Sequence, residues 1–352
     1  TDTAAGMPTA ALADEILLEG EGQVKALVCI GGNPMAAWPD QRKTQQAMEA
    51  LELLVTLDVE MSSTARLADY VIACKQTLET PGMSQSGEAI KYFGSGIGFP
   101  NAYAQYSPPV ADVPHQSDMV EEWEFFYELA VRMGLELYFV VYYGFAKFRE
   151  APPVVITLNK DHKPSTEALY EQMCTTARIP LEEVKAFPNG HIFPVSEKVQ
   201  PRDADCEARL CVGNDTLLAE LAAIAAEDYR ALQDVPGRPF RLIPRRNNNF
   251  VNSSARGIAK LHGGKTWNPA FMHPQDMAAL GLEEGDAVRI SAEQDAIPAV
   301  VEPDTSLRQG LVAMCHAFGG MPEEDALFRQ QGSNTGRLVR SDVDYDPLTG
   351  MP

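Results

Sequence analysis

Much is missing from this chain of 352 residues, and each absence removes a class of function. No stretch approaches the roughly 20 uninterrupted apolar residues of a membrane-spanning helix, so no membrane span is expected. Six cysteines are present, but none forms a Cys-x-x-Cys pair, and the six histidines show no metal-ligand spacing with one another. Gly-x-Gly-x-x-Gly, a P-loop, a nucleophile elbow and a Ser/His/Asp order are all lacking. Residues Thr1 to Ala13 lack the basic start and apolar run of a secretory leader. Beginning at Thr1 rather than Met fits a fragment, a processed product or a trimmed chain alike. Cations are scarce: 29 Lys and Arg stand against 49 Asp and Glu, a net charge of −20 that repels nucleic acid and anionic membranes.

The scarcity has one local reversal. From Val235 to Gln275 there is no acid at all, yet Arg238, Arg241, Arg245, Arg246, Arg256, Lys260 and Lys265 lie there. A solvated basic face and a specific anion site are both open readings of such a stretch. Cys29, Cys74 and Cys315 sit inside apolar, strand-like segments and read as inert buried thiols. Cys206 and Cys211 are close enough to pair, though nothing demands it, and the overall usage favours a reducing compartment.

Short apolar runs alternate with helical patterns at the start of the chain. Ala26–Ile30, Leu53–Leu57 and Tyr70–Ala73 read as buried strands, with helices expected over 40–51 and 64–68, which makes βαβ units and a parallel sheet. An amphipathic helix is expected over 117–133, with Val120, Trp123, Tyr127 and Val131 on one face and Gly134 as its stop. Residues 145–236 are repeatedly broken by proline and read as an irregular connection, with helices over 166–175 and 216–229, the latter capped by Asn214 or Asp215. From about Gly237 short strands follow at 240–243, 287–290, 299–301 and 311–314, with a helix over 274–280. That pattern suits a small β-barrel. The expected division is 1–144, 145–236 and 237–352.

Three segments carry candidate chemistry. Gly31-Gly32-Asn33-Pro34 ends the first strand, the edge of a parallel sheet where ligands bind and where glycine lets backbone approach a phosphate; a tight turn without a ligand uses the same residues. Asp58 ends the second strand, where a carboxylate suits the amide and amine edge of a guanine or merely caps a helix. Arg245 and Arg246 precede Asn247, Asn248, Asn249, Asn252, Ser253 and Ser254, joining phosphate-matching forks to amides that read heterocycle edges. His316, before Phe318-Gly319-Gly320, reads either as a ligand-facing or as a structural histidine.

In order, these segments resemble the later half of the molybdopterin oxidoreductases of the dimethyl sulfoxide reductase family. Ala26–Pro34 is similar to that family's strand and phosphate loop, Leu53–Val71 (LLVTLDVEMSSTARLADYV) to its next strand, guanine-binding acid and helix, and Leu78–Gly82 to its Glu…Gly loop. Asn268–Asp276, Leu280–Asp286, Val312–His316, Gly332–Asn334 and the closing Asp346–Pro352 resemble its dinucleotide-binding barrel. The likeness is strong at both ends of the chain and weak in the middle.

The resemblance implies an α/β domain followed by a double-psi β-barrel, together embracing bis-molybdopterin guanine dinucleotide with molybdenum or tungsten. Carried over to this sequence, Gly32, Asn33, Pro34, Asp58, Thr64 and Glu79 would serve one part of the cofactor. Arg245, Arg246, Asn252, Ser253, Asn268, His316 and Asn334 would approach pterin or phosphate groups. The family's metal ligand and iron–sulfur cysteines have no match here, so no catalytic residue is assigned. The expected partner is the enzyme's N-terminal part, or a separate subunit carrying the metal ligand, with an electron-transfer subunit beyond it. A cytoplasmic setting is expected, any export signal lying upstream. A non-catalytic binding or scaffolding subunit, a non-redox hydratase-type member of the family and a conventional nucleotide-dependent enzyme remain the alternatives.

Overall fold

The structure is a computed structural model that describes residues 8–84, 102–143, 151–177, 179–194, 204–207, 209, 212–228, 236–343 and 345–346. Two compact units form, one from residues 1–72 with 210–352 and the other from 73–209. These units interleave the three segments marked out by sequence pattern.

The first unit starts with α1 (Leu12–Leu17), β1 (Ala26–Ile30), α2 (Pro34–Ala37), α3 (Gln41–Ala50), β2 (Leu53–Asp58) and β3 (Tyr70–Ala73), the last running one residue into the second unit. Asp40 caps α3, its side chain accepting from the Lys43 N–H, and Pro34 opens α2 where its missing N–H costs nothing. β1 and β2 are parallel, Ala26 facing Leu53 and Ile30 facing Leu57, and the sheet order is β1-β2-β3. Ala13 and Ile16 of α1, Ala47 and Met48 of α3, Met35, Trp38 and Leu54 make one core cluster, so α1 and α3 cover the same face of this sheet.

The second unit holds β4 (Gly82–Met83), β5 (Ala102–Ala104), β6 (Tyr106–Ser107), α4 (Glu122–Met133), β7 (Tyr138–Tyr143), β8 (Ala151–Thr157), α5 (Thr166–Met173), α6 (Leu181–Lys185) and β9 (His191–Phe193). Helix α4 begins five residues later than the pattern suggests. Val120 is bridged to Cys74, and a capping box of Glu121 and Glu124 then starts the helix. The proline-broken middle is better ordered than its composition implies: β7 pairs antiparallel with β8, and β5 with β9.

Returning to the first unit, the chain forms α7 (Asp215–Ala226), β10 (Arg241–Pro244), α8 (Ala259–His262), β11 (Ala270–Met272), α9 (Pro274–Leu280), β12 (Ala287–Ser291), β13 (Ala296–Pro303), β14 (Leu311–Met314) and α10 (Phe328–Gln331). Asn214 is the residue that caps α7, accepting from the Leu217 N–H at 2.9 Å. β10 to β14 form a five-stranded mixed sheet in the order β10-β14-β11-β13-β12. β11, only three residues long, was not foreseen from pattern. Its Ala270 and Met272 join Ile297, Ala299, Val301, Val312 and Met314 in a core of their own. The whole is a mixed α/β fold with a parallel sheet. Among the described residues no helix is long and apolar enough to cross a membrane. Cys74, Cys174 and Cys315 are buried and Cys29 half-buried, and burial pushes the Cys29 and Cys315 thiols up. Cys211 and most of the closing segment after Asp346 lie outside the described residues.

Candidate functional site

β1 ends in a turn built around Asn33. Gly31 takes a positive φ of 57° there and donates to the Leu57 carbonyl at 2.8 Å, tying the turn to the end of β2. The Asn33 carboxamide oxygen accepts from the Ser63 hydroxyl (3.0 Å), the Thr64 N–H (3.2 Å) and the Thr64 hydroxyl (2.8 Å). Thr64 is fully buried, and its oxygen also accepts from the Met35 N–H at 3.1 Å, so both its donor and its acceptor are used within the chain. Thr64 therefore orients Asn33, whose amide nitrogen is the part of the group outside this clamp. Pro34 is buried as the first residue of α2. Asp58 closes a turn on itself, accepting from the Val59 and Glu60 N–H groups at 2.8 and 3.2 Å. Glu79, in the second unit, accepts from the Gln76 N–H at 2.8 Å.

The basic segment divides between two kinds of partner. Arg245 pairs with Asp304 and stacks on Phe271, its guanidinium carbon 4.0 Å from the ring centre. Hydrogen bonds from Ser306 first, and then from Arg245, hold the Asp304 carboxyl down at about 2. Arg246 is exposed and donates to Asn252 at 2.6 Å, while Asn252 sits at φ 53°. Arg256, absent from the expected site, reaches inward instead. It donates to the Gly319 carbonyl at 3.3 Å and to the Ala317 carbonyl, and lies over the Phe318 ring. Its Nε is buried with no hydrogen-bond partner. Burial pushes the guanidinium below its ordinary value, opposed by the charge of Glu60.

Two of the remaining expected residues hold loops together. Asn268 is buried and donates to the carbonyls of Cys315 (2.7 Å) and Ser333 (2.9 Å) while accepting from the Ser333 N–H (2.8 Å). Asn334 donates to the Met35 carbonyl at 2.7 Å and accepts from the Gly336 N–H at 2.8 Å. His316 is exposed just past β14 and borders a pocket of about 310 Å³ with Ile243, Met314 and Thr335.

A polar cleft of about 240 Å³ collects what these loops leave available. Asn33, Ser62, Ser63 and Arg66 line it from the β1–β2 side, Ser253 and Arg256 from the basic segment, and Gly319, Gly320 and Gln331 from the loops after β14. Glu60 adds a carboxylate, whose oxygen accepts from the Ala255 N–H at 3.3 Å. Arg66 is paired in fork fashion to Glu324 at 2.7 and 2.8 Å, and that hydrogen bonding holds the Glu324 carboxyl at about 2. Gly320 approaches the Glu324 and Gln331 side chains so closely that a Cβ would collide with them. Ala317, buried in the same loop, carries a positive φ of 63°, a backbone strain that Arg256 holds in place through its carbonyl. Hydroxyls, an amide and a buried guanidinium around one cleft are the donors that phosphate oxygens and heterocycle edges accept from. Of the expected residues this cleft unites Asn33 and Ser253. Ser62, Ser63, Arg66 and Arg256 come from the same quoted runs but were not singled out.

Residues 240–352 match the family model described as "Molydopterin dinucleotide binding domain". A trimethylamine-N-oxide reductase of Haemophilus influenzae is 23% identical over 87% of this chain and 38% of its own length. An acetylene hydratase of Syntrophotalea acetylenica is 33% identical over 94% of this chain and 42% of its own. Among solved structures, acetylene hydratase from Pelobacter acetylenicus shares the fold, with a TM-score of 0.66 at 18% identity over 98% of this chain and 45% of that one. Fold and cleft thus define a molybdopterin dinucleotide-binding protein. The chain belongs to the dimethyl sulfoxide reductase family of molybdopterin oxidoreductases as its C-terminal, cofactor-binding portion, and spans roughly two-fifths of the length of the relatives just named.

Proposed function

We propose that this chain is the dinucleotide-cradling part of a molybdenum or tungsten oxidoreductase that uses bis-molybdopterin guanine dinucleotide. The cleft that joins Asn33, Ser62, Ser63, Ser253 and Arg256 supports this reading, above all the buried Arg256 Nε without a partner beside it. An unpaired buried donor costs about 1–3 kcal/mol, and an acceptor atom from a bound pyrophosphate or heterocycle relieves that cost. The donor set therefore fits the cofactor. Asn33 and the three serines would bind phosphate oxygens or the guanine edge, while Arg256 would supply positive charge from a site that excludes water. Asp58, Arg245, Arg246 and His316 are proposed to border the cofactor more distantly, and Thr64, Asn268 and Asn334 to hold its loops. When bound, the metal–pterin group supplies the reacting centre; this chain contributes binding, orientation and charge.

The five-stranded sheet is proposed to close as a double-psi barrel. The metal ligand, and any iron–sulfur cluster, are assigned to the N-terminal part or to a separate subunit, with an electron-transfer partner and a cytoplasmic setting. A non-redox hydratase reaction is the second reading, favoured by the acetylene hydratase relative at 33% identity. Metal analysis and guanine release from the purified complete protein test the proposal, with about two guanine nucleotides per molybdenum or tungsten expected. Protein that carries neither metal nor nucleotide would overturn it. Assay against oxygen-atom donors, and separately for hydration of an alkyne, separates the two reactions.

A further inference from the structure

β1 is an edge strand that does not look like one. Parallel strands are ordinarily buried on both faces and flanked on both sides, and their sequences are continuous apolar runs. Ala-Leu-Val-Cys-Ile is such a run, yet Val28 is 37% exposed and Ile30 45%, and among the described residues nothing pairs on the side away from β2. The hydrogen bonds say which groups face that side. Gly31 donates to the Leu57 carbonyl at 2.8 Å and the Lys25 carbonyl accepts from Glu52 at 2.8 Å, so odd-numbered residues turn toward β2. Backbone direction alternates along a parallel ladder, and Ala26, Val28 and Ile30 therefore turn their N–H and C=O groups outward. A flat apolar edge of this kind is a template for another strand.

The helices fix where that strand belongs in the chain. A strand–helix–strand crossover in a parallel sheet is almost always right-handed. With handedness constant, helices on one face of the sheet carry the strands onward in one direction. α3, between β1 and β2, and α1, ahead of β1, share one core on the same face, through Ala13, Ile16, Ala47, Met48 and Leu54. A strand preceding α1 then falls on the side of β1 opposite β2, which is the open edge.

We infer that in the complete enzyme a parallel strand from polypeptide ahead of this chain pairs with Ala26, Val28 and Ile30 and makes β1 an interior strand. The inference rests on the reading of the chain as the C-terminal portion of a longer enzyme. Relatives whose length is only 38–42% matched have ample chain to supply such a strand.

The test uses the complete enzyme with benzoylphenylalanine in place of Val28, photolysed and mapped by mass spectrometry, alongside residue-resolved hydrogen exchange of the unmodified protein. The expected result is a crosslink to a peptide preceding Thr1, together with Val28 and Ile30 amides that exchange at least about 100-fold slower than unstructured ones. Crosslinks only within residues 1–352 or to a second copy, or fast exchange at both amides, overturn the inference. If the protein still holds its dinucleotide in that case, the cofactor reading survives alone. A complete polypeptide with nothing ahead of Thr1 and no dinucleotide overturns both.

Discussion

The two sheets of the first unit contrast in how far this chain finishes them. The five-stranded sheet surrounds its own core, with Ala270, Ile297 and Val301 wholly buried and the Asn268 clasp closing the loops beside it. The three-stranded sheet covers one face with α1 and α3 and leaves β1 partly bare. Burial of apolar area is the main stabilising contribution in either sheet, so the first should be self-sufficient and the second should depend on what covers it. The site residues follow the same division. Groups near the five-stranded sheet, such as Arg245 and Asn268, are spoken for by partners in the chain, while the cleft at the end of the parallel sheet keeps donors in hand.

The largest effect is expected at the clasp. Asn268→Ala removes three buried hydrogen bonds at once and leaves two carbonyls and one N–H unpaired. A loss of about 3–5 kcal/mol in denaturant unfolding of the complete enzyme is expected. A loss below about 1 kcal/mol would show that the loops do not depend on it. Next come two truncations that set the sheets against each other. Ile297→Ala should cost about 3 kcal/mol, and Ile30→Ala about 2 kcal/mol if the edge of β1 is covered in the complete enzyme. Should Ile30→Ala lower stability by less than about 0.5 kcal/mol, the edge stays in solvent and the contrast between the sheets is real in the enzyme too.

For the cleft, Arg256→Gln is expected to weaken dinucleotide retention by about 2 kcal/mol, read as guanine content after dialysis, because the guanidinium's charge and fork geometry are both lost. Arg245→Gln should lower stability slightly, by about 1 kcal/mol, through loss of the Asp304 pair. Comparing its guanine content with that of Arg256→Gln tells which end of the basic segment meets the cofactor; a greater loss at Arg245 would reverse the assignment.

The smallest effect belongs to Arg66 and Glu324. Glu324 is held at about 2 against an ordinary value of 4.5, a depressed carboxyl whose stabilisation is present above pH 4.5 and fades as pH falls toward 2. Arg66 is partly in solvent, so the neutral-pH loss for Arg66→Ala should stay within about 1 kcal/mol. Acid unfolding of that variant should be less steep than the parent's between pH 4.5 and 2. An unchanged slope would mean that the pair is not maintained in solution.

Elements with strong local signals were legible in the sequence. The apolar runs of β1, β2 and β3, and α9 between Pro274 and Gly281, stand where pattern puts them, because run length, Pro and Gly are local information. β11 is three residues long and owes its existence to neighbours on both sides, so no local signal announces it. The pairing of β5 with β9 joins segments almost ninety residues apart and is equally silent. Within the site, the strand-end position marked Asn33, whereas its clamp by Ser63 and Thr64 appears only in three dimensions. Arg256 lay in the acid-free stretch that drew attention, but nothing in its neighbours distinguishes a guanidinium that turns inward over Phe318 from one that stays at the surface, like Arg246.

The bond from Asn334 to the Met35 carbonyl spans 299 residues of chain. On a ribosome adding roughly 5–20 residues per second, about 15–60 s pass between the emergence of these two partners. Through that interval the Asn33 turn exists without the loop that buttresses it, and the apolar strands of the parallel sheet are nascent and uncovered. The order of synthesis therefore makes the cradle one of the last features to mature, and ties the loading of any dinucleotide to release of the finished chain.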